Sequence, residues 1–542
     1  MDFQNNNTLI TEQDTIQNES SPIFNLSKKD TIFSIFAVII SVFSAIFGIF
    51  GGFALGYSIS LVFMNALFIS YFSKGNKSIF SSIIYGVFSL LNSAVFVFTT
   101  NSSVRFFSVI ISFLISLVCF NSFVNGKTKG NRQTIGIFFS AVTSVKNIFI
   151  SVKSLFTNSN GKKGTLGKVL IGLVCAIPVL IVVIPLLISS DYAFHGMMNS
   201  IFSNTVSTIF KTIFGLHLAL FVIAYGFSLK WNRTKKLTDS KFKGIENVYI
   251  ISFLSTVSVS YLLYLFSQLA YFFSAFKGFL PDGEITYAQY ARKGFFEMSA
   301  VAVINLCLVF LSLLLSKKVK SKVCHGIKIL STFISVFTLI IIATAISKMV
   351  LYIDTYGMTV LRITTSAFML FLAIVFIGAI LRIYIIRINI IKTALITACC
   401  IILTLGITNV NAVCAKFNYE AYKTQKLETI DIEALYDLGD EGIPYIVRLG
   451  GSKDKDVALE AQRYLAKAYL YQYFDNMQEY EDFTLEDLKK NEKNKGFSHF
   501  NIPRQNAYYT LYKFIEKNPW FTDICRDCAN EVNDIYYEYT ES

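Results

Sequence analysis

The sequence predicts an all-α fold: a polytopic transmembrane helical bundle of about eleven spans, with a soluble helical domain at the C-terminal end. Three observations predict it. Of 542 residues, 53% are apolar and 16% charged, and the mean hydropathy is +0.52, too apolar for a water-soluble chain of this length. The apolar residues gather in runs of about 20, the length that crosses a hydrocarbon core of roughly 30 Å. The charge is also divided, with 33 Lys/Arg against 12 Asp/Glu in residues 1–415 and 16 against 24 in residues 416–542. The cations of the first part lie in short loops between apolar runs, so the net charge of +13 reads as a membrane pattern. Nucleic acid is excluded as a partner, because the basic clusters lack the interleaved aromatics on which bases stack.

Residues 1–29, rich in Asn, Gln and Thr, hold too little apolar surface to offset ordering entropy and read as a disordered cytoplasmic tail. They do not resemble a cleavable signal peptide, since no short cationic start precedes the first apolar run near Thr31. Residues 30–415 read as the membrane domain, with spans expected at 31–50, 53–72, 79–99, 104–124, 166–188, 205–229, 248–275, 292–316, 326–348, 363–386 and 391–413. The first two make a tight hairpin. Gly48, Gly52 and Gly56, four apart, either let the two backbones approach closely or simply make the turn.

Residues 134–156 are too polar for a span yet periodic, with Ile135, Phe138, Val142, Val145, Phe149, Val152 and Phe156 on one face and Ser140, Lys146, Asn147, Lys153 and Ser154 on the other. They read as an amphipathic helix in the cytoplasmic interface, or a short helix under the bundle. With the amino terminus inside, 26 cations fall on the cytoplasmic side and seven on the other, which places residues 416–542 outside a cell membrane. Those residues show helical spacing throughout, punctuated by Gly450-Gly451, Pro503 and Pro519.

Ionised groups within or beside spans are costly, so each one needs a reason. The densest group is Thr286 to Glu297, where Thr286 and Gln289 match a capping box. Two readings stand for it. Arg292, Lys293 and Glu297 are interfacial anchors, or Tyr287, Tyr290, Arg292 and Glu297 line an outward-facing cavity with Gln268 and Tyr271. Asp191 and His195, at i and i+4, form a helix-terminal turn, or a carboxylate-held imidazole suited to a proton relay or half of a metal site, and without a second histidine nearby no metal site is expected. Asp354 and Arg362 flank Gly357 and are expected to fix the turn between two spans. Cys525 and Cys528 form a CxxC that is a structural or incidental pair, a disulfide, or a metal or redox pair. No phosphate-binding loop, HExxH or GxSxG occurs, and no cofactor is expected.

The blocks QLAYFF from Gln268, TYAQYARKGFFEMSAVA from Thr286, DTYGMTVLR from Asp354 and SSDYAF from Ser189 resemble the bacterial membrane proteins of the domain of unknown function 4173 family, related to 4153. The resemblance covers roughly residues 100 to 415. It implies a polytopic membrane architecture and marks positions without assigning an activity. The expected function is a non-enzymatic envelope protein that senses or binds a ligand, lipid or partner protein outside the cell. The alternative is a transporter of a small or amphiphilic molecule, which calls for interrupted helices and charges near the midplane. The partners expected are the lipid bilayer and an envelope protein or small-molecule ligand. Oligomeric state is not legible.

Overall fold

The structure, a computed structural model, describes residues 24, 26–72, 79–126, 130–155, 183, 205–231, 244–277, 295–317, 324–385, 388–473, 488–489, 496–521, 523–525 and 528. Among them there is no strand, only an isolated bridge between Ile245 and Ser316. The helices are α1 (Lys28–Phe43), continued by a π-helical turn to Ile49, α2 (Leu55–Phe72), α3 (Ile79–Ser93), α4 (Val95–Phe98), α5 (Ser102–Asn125), α6 (Asn131–Ser144) and α7 (Ile148–Leu155). After them come α8 (Thr205–Lys230), α9 (Asn247–Lys277), α10 (Phe295–Leu315), α11 (His325–Tyr356), α12 (Val360–Tyr384) and α13 (Ile390–Ile407). The last group is α14 (Val410–Lys423), α15 (Ile432–Tyr436), α16 (Ile443–Leu449), α17 (Lys455–Tyr473) and α18 (Ile502–Lys517).

Ten helical stretches among the described residues are long and apolar enough to cross a membrane. Nine correspond to expected spans, and the tenth is Asn131–Leu155, the stretch expected in the interface. The expected span 166–188 lies, apart from residue 183, outside the described residues. The expected span 79–99 is interrupted at Ala94, between α3 and α4. There the Ser58 hydroxyl donates to the Ser93 carbonyl (2.6 Å) and the Ser93 hydroxyl donates to the Leu90 carbonyl (2.6 Å). Hydroxyls that occupy helix carbonyls in this way bend or break the ladder. The last span stops at Ile407, and the chain restarts as α14 through Asn409, whose left-handed φ of 53° and side-chain cap on Ala412 N–H favour asparagine.

The chain divides into two compact units. The first comprises residues 1–46, 67–74 and 139–235. In it α1 packs on α8 through Gly215, where an added Cβ would lie 2.6 Å from Val42 Cα. Phe33, Phe68, Tyr71 and Phe227 cluster near the start of α1, with Phe33 and Tyr71 ring centres 4.0 Å apart. Fully buried Asp30 sits beside them. Its carboxylate accepts from Ser27 N–H and Oγ (both 2.7 Å), from Tyr71 Oη (2.6 Å) and from Lys230 Nζ. A buried charge so fully met staples α1, α2 and α8 together. Ser154, at the end of α7, accepts from Phe24 N–H (2.8 Å).

On α6 and α7 the serines face inward: Ser140, Ser144, Ser151 and Ser154 are buried, while Phe139, Val142, Val145 and Phe149 are exposed. That is the reverse of a water-facing amphipathic helix and suits a helix whose outer face meets lipid.

The second unit comprises residues 47–66, 75–138 and 236–542. The glycines of the α1/α2 turn serve both purposes expected of them. Gly52 turns at φ 81°, whereas at Gly48 an added Cβ would stand 3.3 Å from Tyr57 Cα, so the backbones do approach closely. Polar side chains between the spans bond to one another. Asn65 Nδ2 donates to Ser89 Oγ (3.2 Å), Asn92 Nδ2 to Ser112 Oγ (2.7 Å), and Asn305 Nδ2 to Thr338 Oγ1 (2.9 Å). Such bonds join helices where apolar packing alone gives no driving force. Helices α9 to α12 share an apolar core that includes Met298, Ile334, Phe337, Met369 and Phe376. Helices α14 to α18 enclose another, built on Ile443, Ile446, Leu465, Leu511 and Phe521.

Candidate functional site

Most of the expected outer cluster falls on Asp191, His195, Tyr287, Tyr290 and Arg292, which lie outside the described residues, as do the side chains of Gln268 and Tyr271 on α9. Glu297 is exposed in the first turn of α10. Asp354 and Arg362 are not paired with each other. Asp354 meets Lys426 Nζ at 3.3 Å, both exposed, a geometry that contributes little to stability. Arg362 Nη1 donates to the carbonyls of Tyr356 (3.0 Å) and Gly357, and its guanidinium lies 4.1 Å from the Tyr352 ring centre. The α11/α12 turn is held by this arginine and by Asn418 of α14, which exchanges bonds with Met358 N–H (2.9 Å) and carbonyl (2.8 Å). Cys525 and Cys528 are not joined by a disulfide and are buried in the core of the C-terminal helices. Burial, with Cys528 beside it, pushes the Cys525 thiol up to about 12.

The structure instead concentrates polar groups where the C-terminal helices meet the ends of the spans. Between α4 and α5 the chain is extended over Thr99 to Asn101, leaving backbone groups without helical partners. Side chains of the C-terminal helices meet them. Buried Glu441 accepts from Thr100 N–H (2.9 Å) and from the Thr100 hydroxyl. Asn501 Nδ2 donates to the carbonyls of Phe96 (3.0 Å) and Thr99 (3.1 Å). Asn101 caps α5 and donates to Asn411 Oδ1 (2.7 Å), and Asn411 in turn donates to the Leu438 carbonyl (2.9 Å). Arg105 Nε donates to the Thr99 carbonyl (2.8 Å).

This framework surrounds a cavity of about 550 Å³. Its walls are Thr100 to Ser103 of the α4/α5 junction, Val360 at the start of α12, Asn411 of α14, Asp437 to Asp440, and Arg504 of α18. Ser103 also belongs to a second cavity, of about 480 Å³, which runs between α5, α12 and α13. The second cavity is apolar, bounded by Val104, Phe107, Ile111, Phe368, Phe371 and Leu405 among others, and its space is left by Ala367 and Ala398. From Ser103 to Ile111 and from Leu361 to Phe371 the helices rise about 12 and 15 Å at 1.5 Å per residue, roughly half of the hydrocarbon thickness.

Residues 86–449 match the model of a family described as a domain of unknown function, DUF4153. The chain belongs to the DUF4153 family. The resemblance to family 4173 thus resolves to its relative 4153, and the match extends beyond the expected limit at 415 to the end of α16. The DUF4153 stretch takes in the apolar cavity whole and every wall of the polar one except Arg504, whereas the α1/α2 hairpin lies outside it. No curated protein and no solved structure matches the chain.

Proposed function

We propose that the protein is a non-enzymatic membrane protein that binds an amphiphilic molecule at the junction between its spans and its C-terminal helices, on the extracytoplasmic side. One observation carries this reading: a polar cavity and an apolar one share Ser103 in their walls, an arrangement that suits a single molecule with a polar head and a hydrocarbon tail. A transporter has less support. Outside Asn131–Leu155, the middle third of each described span holds no Asp, Glu, Lys or Arg, and the asparagines there, Asn65 and Asn305, bond to neighbouring helices.

The test is native mass spectrometry of protein purified in mild detergent. Wild type is expected to retain an amphiphile that Ala367→Trp, which fills the apolar cavity, has lost. Equal retention by the two would overturn the reading.

The orientation rests on charge. In the second unit Arg132, Lys317, Lys328, Arg382 and Lys392 sit near the span ends opposite the C-terminal helices, and in the first unit Lys28, Lys29 and Lys230 gather at the start of α1. The positive-inside rule makes both groups cytoplasmic. Asn131–Leu155 then begins and ends on the cytoplasmic side and lies along the interface, its exposed Phe139, Val142, Val145 and Phe149 in the lipid. Because Cys525 is buried, labelling needs an exposed position such as Lys453. A Lys453→Cys variant is expected to react with a membrane-impermeant maleimide on intact cells; reaction only after permeabilisation would invert the topology.

A further inference from the structure

We infer that residues 496–502 are a lipid-inserted anchor of the C-terminal helices, with Phe497, Phe500 and Ile502 set among the acyl chains just below the head groups of the adjoining leaflet. This surface is separate from the two cavities and stands whether or not they bind an amphiphile. Its depth follows from its partners. Leu55 N–H donates to the Phe500 carbonyl (3.2 Å), and Leu55 is the first residue of the 18-residue span Leu55–Phe72. Eighteen residues rise about 27 Å, no more than a hydrocarbon core of roughly 30 Å, so Leu55 stands at one edge of that core with Phe500 beside it. Phe497 stacks on Phe47, ring centres 5.5 Å apart, and Phe47 is close to the end of the span Lys28–Ile49. Asn501 pins the other side of the turn through the carbonyls of Phe96 and Thr99.

Polarity in this segment is inverted. Ser498 and Asn501 are buried, and Ser498 packs so closely on Gly56 that an added Cβ there would stand 3.1 Å from the serine Cβ. Phe497, Phe500 and Ile502 are instead 54%, 40% and 44% exposed. A turn in water presents its polar side chains and hides its large apolar ones. Three neighbouring apolar side chains turned outward at the edge of a hydrocarbon core have lipid as their surroundings, as do the exposed Val62 and Phe63 of α2, the helix to which the turn is bonded. Beyond the turn, Ile502, Asn506, Tyr509 and Lys513 are exposed on one face of α18, at steps of three and four residues. Isoleucine at the pinned end, then tyrosine, then lysine is the order side chains take on leaving lipid for the head groups and water.

The experiment needs no substitution. The full chain is placed in nanodiscs of phosphatidylcholine doped with a phosphatidylcholine that carries a diazirine near the carboxyl end of one acyl chain, and adducts formed on irradiation are mapped by peptide mass spectrometry. Adducts are expected on residues 496–502 at a yield comparable to that on residues 59–66 of α2. None are expected on residues 453–460, where Lys453, Asp454, Asp456 and Glu460 are exposed. Adducts on 59–66 without any on 496–502, as when a partner protein or a second copy covers the turn, would overturn the inference, and so would equal labelling of 453–460. Phe500→Trp gives an independent reading against the background of Trp231 and Trp520. The emission it adds is expected to be blue-shifted and to be lost in lipid brominated high on the acyl chain. Quenching by aqueous iodide as strong as that of Leu459→Trp, at an exposed position on α17, would place the turn in water and sink the proposal.

Discussion

Gly215→Leu is expected to destabilise the packing of α1 on α8 by about 3 kcal/mol or more, at or beyond the upper end for overpacked cores. An added Cβ there would stand 2.6 Å from Val42 Cα, 3.1 Å from the Ser41 carbonyl oxygen and 3.2 Å from Ala45 Cβ. Two of those three atoms are backbone, so no rotamer change relieves the clash, and the helices must move apart. Separation would also pull Lys230 of α8 away from buried Asp30 of α1, leaving a carboxylate that depends on its partners. Phe221→Leu, on an exposed side of the same helix, serves as the control and should leave the melting temperature unchanged. A melt of Gly215→Leu in detergent that matches wild type would show that α1 and α8 do not approach so closely.

Glu441→Ala is expected to loosen the C-terminal helices from the ends of the spans. Its carboxylate is buried and accepts twice from Thr100, and hydrogen bonds to a charged acceptor contribute about 1.5–3 kcal/mol each. Removing it leaves the Thr100 N–H unmet at a half-buried position, since the extended chain there offers no helical acceptor. Glu441→Gln keeps an acceptor for one of the two donors and should fall between wild type and Glu441→Ala. The measurement is limited proteolysis followed over time alongside a thermal melt. Faster cleavage within residues 410–450 and a lower transition are expected for Glu441→Ala, and identical time courses for all three proteins would refute the role assigned to the carboxylate.

The spans were legible because hydropathy over twenty residues depends on composition alone, and lipid imposes it. The interruption at Ala94 was not, because it depends on Ser58, a residue of another helix that takes the Ser93 carbonyl. Asp30 was passed over although Ser27 three residues before it has capping spacing; its partners Tyr71 and Lys230 are 41 and 200 residues distant. The polar cavity left no local trace for a similar reason. Thr100, Val360, Asn411, Asp440 and Arg504 come from five separated segments, and none sits in a motif with its own chemistry. The C-terminal helices and their acidic character were readable from periodicity and charge. Which of their side chains meet the spans was settled by tertiary packing.

Arg504 of α18 and its N-cap Asn501 lie beyond Leu449, where the DUF4153 match ends. The apolar cavity therefore lies wholly within the matched stretch, while one wall of the polar cavity comes from beyond it. If the protein binds an amphiphile as proposed, this division makes selectivity modular: a different helix in the place of α18 would change one polar wall and leave the apolar cavity intact.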